Sequence, residues 1–239
     1  MIIDVLTVCP EVFTSFQESV LIRRARERGI LEVRITDIRD FADGSFRHVD
    51  DSVYGGGAGM ILKCGPVISA LESLRKDESH TVLFSAAGEP YTQKKAREYA
   101  GLDHLILIAG HYEGFDARIL DEADEQICMG DYILSGGEIP AMAVIDSIVR
   151  LLGVIRTEST EEESFENGLL EYPQYTRPYE FRGKKVPDVL LSGDHEKIRR
   201  WRLKESLRLT QQKRPDLLEQ KELTDEEKDL LEEILNEAE

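Results

Sequence analysis

Residues 104–109 read HLILIA, an apolar run too short for a free-standing helix and too uniform for a strand with one face in water. A run of that length is what a strand needs when both faces of its sheet are covered, as in parallel α/β sheets. Residues 81–85 (TVLFS) are a second such run, 125–129 (EQICM) are a further strand candidate, and 2–8 (IIDVLTV) are a first strand. Residues 32–38 alternate polar and apolar side chains at the period of a strand. Helical spacing fills the gaps. Pro10 stands where a first helical residue would, Phe13, Phe16 and Val20 follow on one stripe, and Gly29 is a stop. Residues 91–99 fit a helix between strands, and 140–152 are apolar on nearly every side, the pattern of a deeply buried or subunit-interface helix ended by Gly153. This alternation predicts an α/β domain with a parallel sheet covered on both faces.

The composition changes after residue 156. Residues 157–168 (TESTEEESFENG) offer little to bury and read as an exposed linker, expected to be disordered or variable in the free protein. A Pro/Tyr-rich turn segment (YPQYTRPYEF) follows, then one helix over 194–211 and another from Thr224. Thr224 and Glu227 form a capping box, with Leu230, Leu231, Ile234 and Leu235 as the apolar stripe behind it. The expected organisation is a domain over 1–156, a linker over 157–168 and a helical domain over 169–239. A chain of 239 residues that is 41% apolar can build one large core and a small appendage.

No stretch of about 18 apolar residues predicts a membrane span. The start, MIIDVLTVCPEVF, has neither a basic opening nor a small-residue cleavage site. Cys9, Cys64 and Cys128 are odd in number and scattered. That argues against a disulfide framework or a zinc site and for a reducing cytoplasm.

A net charge of −17 argues against a nucleic-acid partner if taken whole, but it is unevenly spread. Residues 177–214 hold twelve Lys/Arg against five acids, and 215–239 hold eleven acids against Lys221 and Lys228. A basic island beside an acidic tail is compatible with a local phosphate contact, although charge alone favours a solvated helix face.

Three glycine-bearing loops follow or flank the strands: YGGGAGM at 54–60, GHYEG at 110–114 and MGDYILSGGE at 129–138. Glycine at the carboxyl end of a strand lets a ligand approach the backbone, so two such loops can form one cofactor slot; each alone is also an ordinary tight turn. YGGGAGMILK lacks the ending of a P-loop, no GxGxxG opens a helix after a strand, no GxSxG occurs, and the five histidines have no metal-ligand spacing.

GHYEGFDAR, GDYILSGGEIPAM, DDSVYGGGAGM, SFENGLLEYPQYTRP and GDHEKIRRWRLKESL together resemble the bacterial tRNA (guanine-N1)-methyltransferases, in one register from residue 1 to the C-terminal helices. The resemblance implies a SPOUT-type α/β domain with a trefoil-knotted parallel sheet, a small helical C-terminal domain, a homodimer, S-adenosylmethionine as methyl donor and tRNA as substrate. Carried over by position, the donor would lie among three loops. The first is at Phe84 and Ser85. The second holds Gly110, Tyr112, Glu113 and Gly114. The third comprises Met129, Gly130, Asp131, Tyr132, Ile133 and Leu134, with Gly136, Gly137 and Pro140. Backbone groups of such loops can read an adenine edge while Ile133 and Leu134 pack its face, and Glu113 can accept hydrogen bonds or offset the sulfonium charge.

N1 of guanine carries a proton, so a positioned carboxylate suits the role of base and a guanidinium suits charge growing on O6. The family's Arg falls on Arg150. Where the family has Asp before Ser-Phe, this chain has Glu163, which keeps the carboxylate on a longer arm; Glu161 and Glu162 are alternatives. Ser52-Val53 and Ala58 also depart from the family pattern beside Asp50, Tyr54 and Gly59, the RNA-contact candidates of the first domain. In the second, Arg199, Arg200 and Arg202 are the candidates for phosphates, and the target would be the guanosine 3′ of the anticodon, flipped from its stack. The family is associated with Mg²⁺ in turnover, and no ligand cluster in the sequence predicts a site for it. The alternatives are another SPOUT RNA methyltransferase and a non-catalytic cofactor- or RNA-binding module.

Overall fold

The computed structural model describes residues 1–154 and 163–237. The chain divides into two compact units, Met1–Arg156 and Thr157–Glu239. Residues 155–162, which hold most of the expected linker together with Glu161 and Glu162, lie outside the described residues.

In chain order the first unit comprises β1 (Ile2–Thr7), α1 (Thr14–Gln17), α2 (Val20–Glu27), β2 (Glu32–Asp37), β3 (Asp50–Ser52), β4 (Met60–Leu62) and α3 (Cys64–Leu74). It continues with β5 (Ser79–Pro90), α4 (Gln93–Ala100), β6 (His104–Ile108), α5 (Ala117–Leu120), β7 (Glu125–Cys128) and α6 (Glu138–Leu151). Five strands form one sheet in the order β2-β1-β6-β5-β7, and every pairing in it is parallel. β3 and β4 make a separate antiparallel pair.

The side-chain alternation of the strands explains their composition. Ile3, Val5, Val82, Leu105 and Leu107 face a core closed by α2, α4 and α6. Leu6, Leu83, Ile106 and Ile108 face the opposite core, closed by α3 and α5. β6 lies centrally and is buried along its whole length, so truncating one of its leucines to Ala removes about 2–5 kcal/mol of stability. Its one polar residue is accommodated: His104 Nε2 lies 2.7 Å from Asp4 of β1 and its Nδ1 lies 2.7 Å from the Ser79 hydroxyl.

Two expectations are corrected. The helix predicted from Pro10 is broken into a 3₁₀ turn (Pro10–Phe13), α1 and α2. Ser19 takes extended backbone before α2, so Phe13 is buried while Val20 leaves the stripe and stands 54% exposed. β5 runs well past Ser85, because Phe84 and Glu89 both pair with Ile127 of β7 and the residues between them bulge out of the ladder.

The second unit carries a short hairpin, β8 (Glu180–Phe181) and β9 (Lys184–Lys185), then α7 (His195–Lys213), α8 (Pro215–Gln220) and α9 (Asp225–Asn236). Leu169, Leu207, Leu230 and Ile234 form its core. The capping box at Thr224 and Glu227 is present as the sequence predicts, whereas Leu235 points to solvent. Residues 163–168 form a hydrogen-bonded turn, with the Phe165 amide donating to the Leu169 carbonyl at 2.8 Å.

Candidate active site

The carboxyl ends of β5, β6 and β7 open into a cavity of about 630 Å³. Ligands of open α/β sheets bind at that end of the strands. The bulge in β5 supplies Phe84, Ser85 and Ala86 to the rim. The loop after β6 supplies Gly110, His111, Tyr112, Glu113 and Gly114, and the loop after β7 supplies Met129, Gly130, Tyr132, Ile133, Leu134, Gly136 and Gly137, followed by Pro140 in the first turn of α6. Three loops far apart in sequence thus meet in one place. Asp131 does not line the cavity, unlike its neighbours. His111, Phe115, Cys128 and Ser135 do, and the sequence reading did not include them.

The third loop runs back over the second. The Gly137 amide donates to the Gly110 carbonyl at 2.7 Å, and His111 bridges Gly136. A β-carbon on Gly137 would lie 2.7 Å from the Ala109 α-carbon, so only glycine permits this approach. The crossing is tied beneath by Glu138, which is 5% exposed at the start of α6. The Thr7 hydroxyl, at the end of β1, donates to Glu138 Oε1 at 2.8 Å, and Glu138 Oε2 stands 3.5 Å from His111 Nδ1. The end of β1 and the loop after β6 therefore meet at one carboxylate of α6. Nothing in a Glu before an apolar helix signals this in sequence beyond its place in the first turn, where acids are common.

The second loop is also tied to the glycine loop at 54–60. The Glu113 amide donates to the Met60 carbonyl at 3.0 Å, and the Leu62 amide to the Gly114 carbonyl at 2.9 Å. Asp50 pairs with Leu62 across β3 and β4, Tyr54 is fully in solvent, and Gly59 lies against the Glu113 side chain. Tyr112 has left-handed backbone, φ 59°. Burial, and after it the Asp50 charge, push its phenol above the ordinary tyrosine range. Ile133 is 87% exposed beside the cavity, an apolar surface open to a planar group.

Cys9, His111 and Glu138 place their donor atoms within 4.8 Å of one another, the only such group of three among the described residues. Burial, then the Glu138 charge, push the Cys9 thiol up. A thiol–imidazole–carboxylate set does not suit Mg²⁺, which selects oxygen ligands in octahedral array.

Arg150 lies in the last turn of α6, and Glu163 begins the turn that opens the described part of the second unit. In that unit the three arginines expected to meet phosphates are engaged internally. Arg199 binds Glu226 at 2.6 Å, Arg200 binds Glu233, and the Arg202 guanidinium lies 4.8 Å from the centre of the Tyr172 ring. The acidic tail thus lies partly on the basic helix, a pairing hidden from residue counts. Trp201 sits beside Tyr175, with ring centres 6.3 Å apart.

Comparison with known proteins agrees along the whole length. A family described as tRNA (Guanine-1)-methyltransferase TrmD matches residues 1–220. The chain is 49% identical over 237 residues to the tRNA (guanine-N(1)-)-methyltransferase of Dictyoglomus turgidum, covering 98% of this chain and 97% of that protein. It is 50% identical over 244 residues to that of Geobacillus kaustophilus, covering 100% of both. To that of Leuconostoc mesenteroides it is 48% identical, covering 99% of each.

Proposed function

The chain belongs to the tRNA (guanine-1)-methyltransferase family, and on that premise we propose that it transfers a methyl group from S-adenosylmethionine to N1 of the guanosine 3′ of the anticodon, position 37, in tRNA. The observation that carries this reading is the cavity at the ends of β5, β6 and β7, whose size falls within the range of small-molecule sites. Main-chain groups of the glycine loops that line it can read a purine edge, and Ile133 and Leu134 offer it an apolar face. Glu113 on the rim supplies negative charge toward a sulfonium.

S-adenosylmethionine supplies the electrophilic methyl group. Residues of the chain do the rest. The three loops hold donor and base in line, which converts a bimolecular step into a positioned one. The Glu163 carboxylate takes the N1 proton as the N1 lone pair bonds to the methyl carbon and the carbon–sulfur bond breaks, leaving a neutral thioether. Arg150 offsets the charge that gathers on guanine O6. In this reading the first unit is the knotted methyltransferase domain, residues 169–239 are the tRNA-binding domain, and the working form is a homodimer. RNA contact by Arg199 and Arg200 requires them to leave Glu226 and Glu233. No helix among the described residues is long and apolar enough to cross a membrane.

The test is methyl transfer from labelled S-adenosylmethionine to two tRNA transcripts, one with guanosine and one with adenosine 3′ of the anticodon. N1-methylguanosine in the first alone is the expected product. Donor binding with no transfer to either would support a binding module and sink the enzymatic reading.

A further inference from the structure

The second unit presents its cations in two different ways. On α7 four of them are already paired with acids of α9 or the residue just after it: Arg199 with Glu226, Arg200 with Glu233, Lys204 with Glu233 at 2.9 Å and Glu237 at 2.7 Å, and Arg208 with Glu237 at 2.8 Å. On the β8–β9 hairpin they are not. Residues 174–185 are exposed without interruption and hold Arg177, Arg182, Lys184 and Lys185 against a single acid, Glu180. Among the described residues Arg177 and Lys184 have no acidic partner, and the one hairpin ion pair, Lys185 with Glu180, is long at 3.9 Å.

The hairpin is also stiff. Phe181 pairs with Lys184 and Glu180 with Lys185, and the two residues between, Arg182 and Gly183, both have positive φ, 51° and 77°. That is the two-residue turn whose twist matches paired strands. The Arg182 guanidinium lies over the Phe181 ring at 5.2 Å from its centre, and Phe181 is 62% exposed. The Val186 amide donates to the Tyr179 carbonyl at 2.9 Å, and the Tyr179 hydroxyl to Asp188 at 3.1 Å, which fixes the base of the hairpin.

Unpaired cations beside exposed aromatic rings on a rigid projection, in a chain of net charge −17, form a local attractor for a polyanion. We propose that the β8–β9 hairpin is the principal electrostatic contact of the second unit with the tRNA phosphate backbone. This rests on the reading of the chain as a tRNA methyltransferase and moves the contact from α7, where binding must first displace carboxylates, to a surface where no such exchange is needed.

The experiment measures tRNA dissociation constants for the full-length protein as a function of salt. Arg182→Gln, Lys184→Gln and Lys185→Gln together are expected to weaken binding about tenfold or more and to flatten the dependence of log Kd on log salt by about two to three. Glu180→Gln removes the one acid and is expected to tighten binding, an outcome that misfolding cannot imitate. Arg199→Gln with Arg200→Gln is expected to cost less than the hairpin variant. Equal or greater loss from the α7 pair, or an unchanged salt slope in the hairpin variant, overturns the proposal while leaving the methylation reading standing. Loss of retention on anionic phospholipid vesicles without loss of tRNA binding overturns it in favour of a lipid surface. Absence of both tRNA binding and methyl transfer in the unaltered protein removes the reading beneath it.

Discussion

The Thr7 hydroxyl donates to the buried Glu138 carboxylate at 2.8 Å across 131 positions of sequence, and the other carboxylate oxygen stands 3.5 Å from His111. The loop carrying His111, Tyr112 and Glu113 thus packs against a carboxylate that is itself anchored to the end of β1. Glu138→Ala strands the Thr7 hydroxyl and frees that loop, so donor affinity falls about tenfold or more while stability falls by about 1–3 kcal/mol. Glu138→Gln keeps an acceptor for Thr7 and loses less. Calorimetric titration with S-adenosylmethionine beside thermal unfolding separates the two effects. A folded Glu138→Ala protein with unaltered affinity would show that the tie does not shape the slot.

Gly59 offers a cleaner test of Glu113. A β-carbon there would lie 2.3 Å from Glu113 Cγ, at a φ of +84°. Gly55 has nearly the same backbone, φ +86°, with nothing within 4 Å. Alanine at either position carries a similar backbone strain, about 1–3 kcal/mol. Only Gly59→Ala must also displace the Glu113 side chain. Its KM for S-adenosylmethionine is therefore expected to rise well beyond that of Gly55→Ala. Steady-state kinetics on the pair decide the matter, since equal values would remove Glu113 from the slot.

These two sites mark how far the sequence is legible. HLILI of β6 reveals itself because burial on both faces leaves no polar position, and Thr224 with Glu227 because a capping box is purely local. The bulge after Phe84 is invisible because SAAGEP shows no strand period, yet it delivers Ser85 to the cavity. Glu138 and His111 are missed because their meaning lies in Thr7, far away in sequence. Arg199 and Arg200 read as free cations because no count of charges shows that Glu226 and Glu233 lie against them. Long-range pairing, not local propensity, separates what was legible from what was not.

The α7–α9 ion pairs make the second unit acid-sensitive in a defined window. Hydrogen bonds from Arg199 to Glu226, and from Arg200 and then Lys204 to Glu233, lower both carboxyls, and Lys204 followed by Arg208 holds Glu237 at about 2. Groups lowered in the folded state stabilise it above their unfolded pKa, near 4.5, and that contribution disappears as pH falls through the folded values. Trp201 on α7 is the sole tryptophan, so its fluorescence reports this unit. Glu233→Gln with Glu237→Gln is expected to lower the urea midpoint of the Trp201 signal at pH 7. The difference from the unaltered protein should shrink steadily between about pH 4.5 and about pH 2. A difference independent of pH would show that the pairs add nothing electrostatic.

Glu163 bears on the chemistry itself. The substitution Glu163→Gln keeps size and hydrogen-bonding capacity but removes the acceptor of the N1 proton. The expected result is a kcat lower by about 10²–10⁴-fold with S-adenosylmethionine affinity unchanged. Arg150→Gln should also lower kcat, since O6 charge exists only as the methyl moves. Glu163→Asp shortens the arm by one methylene while keeping the carboxylate, so it is expected to retain far more activity than Glu163→Gln. Single-turnover methylation with saturating tRNA isolates the step from binding and product release. If Glu163→Gln turns over at the unaltered rate, the base is another group, and Glu161→Gln and Glu162→Gln become the next variants, since both acids stand in the same acidic stretch. If Gln fails and Asp succeeds, the carboxylate acts as a base, and the longer arm of Glu is a variation in reach, not in chemistry.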